Sequence, residues 1–83
     1  MRRNPEALWR AGVQFLVLGR PDGCVITVGG PGVDVWTLLA LDPTIDELVE
    51  ILAARYGADQ STVRTDVTRM VEQLVAQGFV VDG

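Results

Sequence analysis

Few residues in this chain have the chemistry of a catalytic centre. There is no His among the 83 residues, so the commonest general base is missing, and Ser61 has no neighbouring base that the sequence identifies. Cys24 is the only cysteine, which excludes an internal disulfide, and one thiolate without histidines makes no zinc site. The carboxylate pairs Asp46/Glu47 and Glu47/Glu50 fall on the outer face of a helical segment, where a solvated surface explains them. Gly29-Gly30-Pro31-Gly32 lacks both the lysine of a phosphate loop and the spacing of a dinucleotide fingerprint. Ser61 follows Gln60 rather than the Asp that usually precedes the phosphopantetheine serine of a carrier protein. The chain reads as a non-enzyme with no cofactor and no metal.

The residues that remain to do something are apolar and arranged by strand and helix periods. Val13, Phe15 and Val17 alternate with Gln14, Leu16 and Leu18, so both faces are apolar, as in a central strand. Arg20-Pro21-Asp22-Gly23 is a turn signal, and the segment 13–19 is expected to pair with Cys24 to Gly29 as a hairpin with Cys24 inside its second strand as a small core residue. Ala7 to Arg10 is a weaker strand ahead of it. Val33 to Ala40 reads as a short helix with Trp36 and Leu39 on one face, ended by Asp42-Pro43. Thr44 and Glu47 form a T-x-x-E capping box opening a second helix. Its stripe is Ile45, Leu48, Val49 and Leu52, Tyr56 packs at its base, and Gly57 lies beyond its end.

A third helix is predicted from Asp59 or Ser61 to about Gln77. Its apolar set, Val63, Val67, Met70, Val71, Leu74 and Val75, spans roughly 140° at 3.6 residues per turn. A helix resting on one neighbour needs only about 100°. The excess implies a second contact surface, toward the sheet or a ligand. Phe79 to Val81 is expected to fold back as a short edge segment. The fold class is α+β, similar to a winged helix-turn-helix, with a three-stranded antiparallel sheet followed by three helices in one domain, residues 1–83.

A winged helix suggests DNA, but the charges oppose it. The chain has no Lys, its net charge is −4, and Arg64 and Arg69 are offset by Asp66 and Glu72. Phosphate neutralisation, which supplies most non-specific affinity for nucleic acid, is therefore not provided. No apolar run approaches the roughly 20 residues of a membrane span, and no signal-peptide stretch follows the two N-terminal arginines. A cytoplasmic monomer is expected.

In order and spacing, Val35-Trp36-Thr37-Leu38-Leu39, Thr44-Ile45-Asp46-Glu47-Leu48, Ala54-Arg55-Tyr56, Val63-Arg64-Thr65-Asp66-Val67 and Leu74 to Phe79 resemble the PqqD family across residues 13–81. Met70 stands where Phe is usual, Ala40 and Leu41 replace a polar or glycine turn, and Phe79 replaces Leu, all compatible with packing. The resemblance implies a recognition element that binds the leader region of a ribosomally synthesised precursor peptide. The leader would be added as a strand beside the last strand of the sheet, under the third helix. Likeness to stand-alone members of lasso-peptide pathways implies delivery to a leader peptidase and then a cyclase.

On that reading the edge is Cys24, Val25, Ile26, Thr27 and Val28, whose backbone groups bind a guest while Ile26 and Val28 are mainly core. Across the groove stand Val63, Val67, Met70 and Leu74. Asp66 and Gln73 on one rim, or Arg64 and Thr68 on the other, take polar contacts. The competing readings are a winged-helix nucleic-acid binder and a regulatory protein-interaction domain.

Overall fold

The computed structural model describes residues 1–81. In chain order these form β1 (Arg2–Arg3), β2 (Leu8–Ala11), β3 (Phe15–Gly19), β4 (Val25–Gly29), α1 (Pro31–Leu38), a 3-10 turn (Leu39–Leu41), α2 (Ile45–Tyr56), α3 (Gln60–Ala76) and β5 (Val80–Val81). The architecture is α+β. A three-stranded antiparallel sheet, β2-β3-β4, precedes the three helices. A separate antiparallel ribbon pairs Arg2 with Val81 and Arg3 with Val80.

The hairpin forms where the turn residues place it, with shorter strands than the pattern suggested. Gly23 has φ 91° and donates its N–H to the Arg20 carbonyl at 2.9 Å; Arg20 in turn donates to the Cys24 carbonyl at 2.9 Å. The Asp22 carboxylate accepts the Cys24 N–H at 3.1 Å, and this bond is the main cause holding its pKa below the ordinary 3.8. Val13 lies outside the sheet and is 86% exposed, because Gln14 turns to φ 67° before β3 begins. Cys24 sits in the turn, ahead of β4 and only half-buried, so it is neither a strand residue nor a core residue. Its backbone is taken up in closing the turn.

Leu16 and Leu18 point from β3 onto the helices and join Trp36, Leu39, Leu48, Leu52, Val67, Val71, Leu74 and Phe79 in one core. α1 starts two residues earlier than its hydrophobic pattern, at Pro31, since a missing N–H costs nothing in a first turn. It tightens into the 3-10 turn before Asp42 at φ 52°. The capping box of α2 is complete, with the Thr44 side chain accepting the Glu47 N–H at 3.1 Å and Glu47 accepting the Thr44 N–H at 3.0 Å. Gly57 closes that helix at φ 60°. Tyr56, expected at the base, instead stays half-exposed and donates its hydroxyl to the Asp34 carboxylate, which also pairs with Arg55 at 3.3 Å.

Arg2 and Arg3, which carry no periodicity, form the partner strand for Val80 and Val81. Arg3 also lies over the Trp9 and Trp36 rings, 5.0 and 4.9 Å from their centroids, and donates to the Trp36 carbonyl at 2.7 Å.

Asp59 caps α3, accepting the Ser61 hydroxyl at 2.9 Å and the Thr62 N–H at 3.2 Å. These bonds, the hydroxyl first, lower its pKa from 3.8. A carboxyl depressed in the folded state adds stability that is complete above its unfolded pKa and disappears as pH falls through the folded one. An acid titration followed by circular dichroism should therefore show wild-type protein losing stability below 3.8 more steeply than Asp59→Asn, whose amide caps at any pH.

Among the described residues, no helix is long and apolar enough to cross a membrane.

Candidate functional site

β4 is an edge strand, with β3 on one side and, among the described residues, no strand on the other. The turn fixes which of its backbone groups are free. Antiparallel ladders alternate between pairs that exchange hydrogen bonds and pairs that do not. Because Arg20 bonds Cys24, the bonded pairs are Leu18/Ile26 and Leu16/Val28 in the observed register. Val25, Thr27 and Gly29 thus direct their N–H and C=O groups away from the sheet, toward the open border.

Beside this border runs α3. A groove of about 280 Å³ separates them, with Ile26, Thr27 and Val28 on the sheet side and Met70, Gln73, Leu74 and Gln77 on the helix side. Its width is set at one end by Arg20, which bonds Asp22 at 3.1 Å and donates to the Gln77 carbonyl at 2.6 Å, tying the hairpin to the end of α3. At the other end Gly32 lets α1 approach closely: a Cβ there would overlap the Val28 side chain and stand 3.3 Å from the Met70 sulfur.

A second hollow of about 420 Å³ lies beside the groove, between the start of α1, the end of α2 and α3. Val35, Leu52, Val63 and Val67 give it an apolar lining, Tyr56 forms an aromatic wall, and Asp66 and Arg69 stand at its rim. Met70 and Gln73 line both spaces. Neither Asp66 nor Arg69 has an ion-pair partner among the described residues.

The eleven residues picked from the sequence do not all meet. Ile26, Thr27, Val28, Met70, Gln73 and Leu74 line the narrow groove. Val63, Asp66 and Val67 border the wider hollow instead. Cys24 and Val25 line neither; Val25 offers its backbone to the border while its side chain, 62% exposed, faces the other side of the sheet. Ile26 and Val28 pack against the core but are only half-buried, since the groove leaves one flank bare.

Asp66 and Gln73 lie on the groove side, whereas Arg64 is held by Asp46 at 2.7 Å and Thr68 faces a different hollow with Thr44, Val71 and Val75. Pro31, Tyr56 and Arg69 also line the hollow and Gln77 the groove, positions outside the set chosen from the sequence. Tyr56 did carry a signal: it extends the α2 stripe one turn past Leu52, beyond the point where the core ends.

The border of β4 thus faces an apolar groove, and a larger apolar hollow lies beside it along α3. The chain belongs to the PqqD family: the family model described as coenzyme PQQ synthesis protein D matches residues 14–80. No curated protein matches it. Among solved structures it is similar in fold to "TbiB1 in Complex with the TbiA(beta) Leader Peptide", with a TM-score of 0.87 and 21% identity over 99% of this chain and 100% of that one.

Proposed function

We propose that this protein binds the leader region of a ribosomally synthesised precursor peptide as a fourth strand on β4, without catalysing a reaction, and presents it to separate processing enzymes. In a lasso-type pathway these are a leader peptidase followed by a cyclase. The observation that carries the reading is the set of outward backbone groups of Val25, Thr27 and Gly29 beside the groove under α3. The fold shared with a protein solved with a leader peptide supports it.

Magnitudes assign the parts. Micromolar binding needs about 8 kcal/mol. Some four or five strand hydrogen bonds, at a net of about 1 kcal/mol each, supply roughly half of that before the guest's ordering cost is subtracted. Backbone pairing alone is insufficient. Each large apolar side chain buried fully adds about 1.5–3 kcal/mol, so at least two leader side chains must enter the groove and the hollow beyond Met70. Pairing therefore sets the register and the pockets set selectivity.

Calorimetry with a synthetic cognate leader should give low-micromolar or tighter affinity for the monomeric protein. An absence of heat at concentrations well above that range overturns the proposal.

A further inference from the structure

A peptide strand that pairs with β4 has a second edge. In an extended chain the N–H and C=O of one residue point to one side and those of the next residue to the other, so the groups on each side recur about every 6.8 Å. Guest residues facing Val25, Thr27 and Gly29 are satisfied by the sheet. The residues between them turn toward α3, because the groove lies between β4 and that helix. Without partners there, their polar groups would be withdrawn from water with nothing in exchange. α3 runs antiparallel to β4 along the groove: Gln77 is tied to the hairpin turn through Arg20, whereas Met70, about two turns earlier, stands by Val28 and Gly32. Gln73 and Gln77 lie one turn apart on the helix side, about 6 Å along the axis, close to the repeat of the guest's free edge. Gln73 is exposed and Gln77 half-buried. Neither side-chain amide has a hydrogen-bond partner among the described residues, since the bond from Arg20 goes to the main-chain carbonyl of Gln77.

We infer that the side-chain amides of Gln73 and Gln77 hydrogen-bond the far edge of the guest strand, so that the domain grips an extended backbone from both sides. A glutamine amide offers a donor and an acceptor together, the same pair that one strand residue presents at its edge. The guest is then held as an inner strand is held, with α3 in the place of the next strand. Met70 and Leu74, on the same wall, supply the apolar contacts between the two amides. Backbone groups are common to all peptides, so the glutamines select conformation: they favour an extended guest and disfavour proline at the residues that face α3, where β4 alone would tolerate it. The inference rests on the strand-addition reading, which decides which guest residues face the helix.

The test uses the full chain and a synthetic cognate leader in which one backbone amide at a time is replaced by an ester, which deletes an N–H and leaves every side chain in place. With the wild type, consecutive residues of the bound segment should each lose affinity by about threefold or more, because both edges are paired. A double variant, Gln73→Met with Gln77→Met, keeps the bulk of both side chains and should bind the unmodified leader about tenfold more weakly, with thermal melts confirming its fold. In that variant the esters at every second residue should cost nothing further, whereas those at the residues between them should cost as much as before; a merely structural role for the glutamines would not produce this coupling. Sensitivity at alternate residues only, in both proteins, overturns the inference and leaves strand addition on β4 standing. An unchanged leader affinity in the double variant also overturns it, since other groups would then serve the far edge. A leader that binds with no ester sensitive at any residue removes the strand-addition reading together with the inference.

Discussion

Thr27→Pro should reduce leader binding by more than about tenfold while the domain stays folded. The Thr27 N–H points to the open border and not to β3, so its loss breaks no bond within the sheet. Edge strands accept proline on that side. For an incoming peptide the same change removes a central donor, a net loss of about 0.5–1.5 kcal/mol, and places a ring where the guest backbone must lie. The steric effect carries the loss past what one bond accounts for. Ile26→Pro is the contrast. Its N–H belongs to the pair with Leu18, so this substitution should lower the melting temperature sharply. Titration calorimetry and thermal melts on both variants separate the two outcomes. Unaltered affinity in Thr27→Pro would mean that the peptide docks away from β4.

Acidic substitutions on α3 should divide in the same manner. Val67 is 4% exposed and part of the central core, and Val67→Asp puts an uncompensated carboxylate there. Such a charge costs several kcal/mol, comparable to the whole stability of a small domain, about 5 kcal/mol. The protein should be largely unfolded. Met70 is half-buried and lines both the groove and the hollow. Met70→Asp can keep its charge in water, so the fold should survive with a modestly lower melting point. The groove, however, loses an adaptable apolar wall and gains a charge beside Asp66, and leader affinity should fall by about tenfold or more, or about 1.4 kcal/mol. Equal melting losses in the two variants would show that Met70 belongs to the core and not to the site.

These contrasts show how much of the site was visible beforehand. The facing elements were: β4 through its alternation and turn, and α3 through an apolar arc too wide for one neighbour. The division of labour along α3 was not. Val63, Val67, Met70 and Leu74 share one helical face, yet Leu74 is 3% exposed on the groove floor, Val67 is core at the border of the hollow, and Met70 bridges the two spaces. Periodicity ranks positions around a helix but does not say where along its length a neighbour ends. Tyr56 is the same case on α2, since the stripe continues past the last residue that has something to pack against.

Local chemistry determined the rest of what the sequence alone established. The turn at Pro21 to Gly23, the Thr44/Glu47 capping box, the Asp59 cap and Gly57 each satisfy their own backbone within a few residues, so no distant contact was needed to recognise them. Tertiary structure decided what depends on residues far apart in the chain. It paired Arg2 and Arg3 with Val81 and Val80, gave Tyr56 to Asp34, tied Arg20 to Gln77, and used the bare Cα of Gly32 to bring α1 against Val28. A hydrophobic pattern reports that a side chain is withdrawn from water; only the packed molecule shows which surface it meets and where the packing leaves a gap.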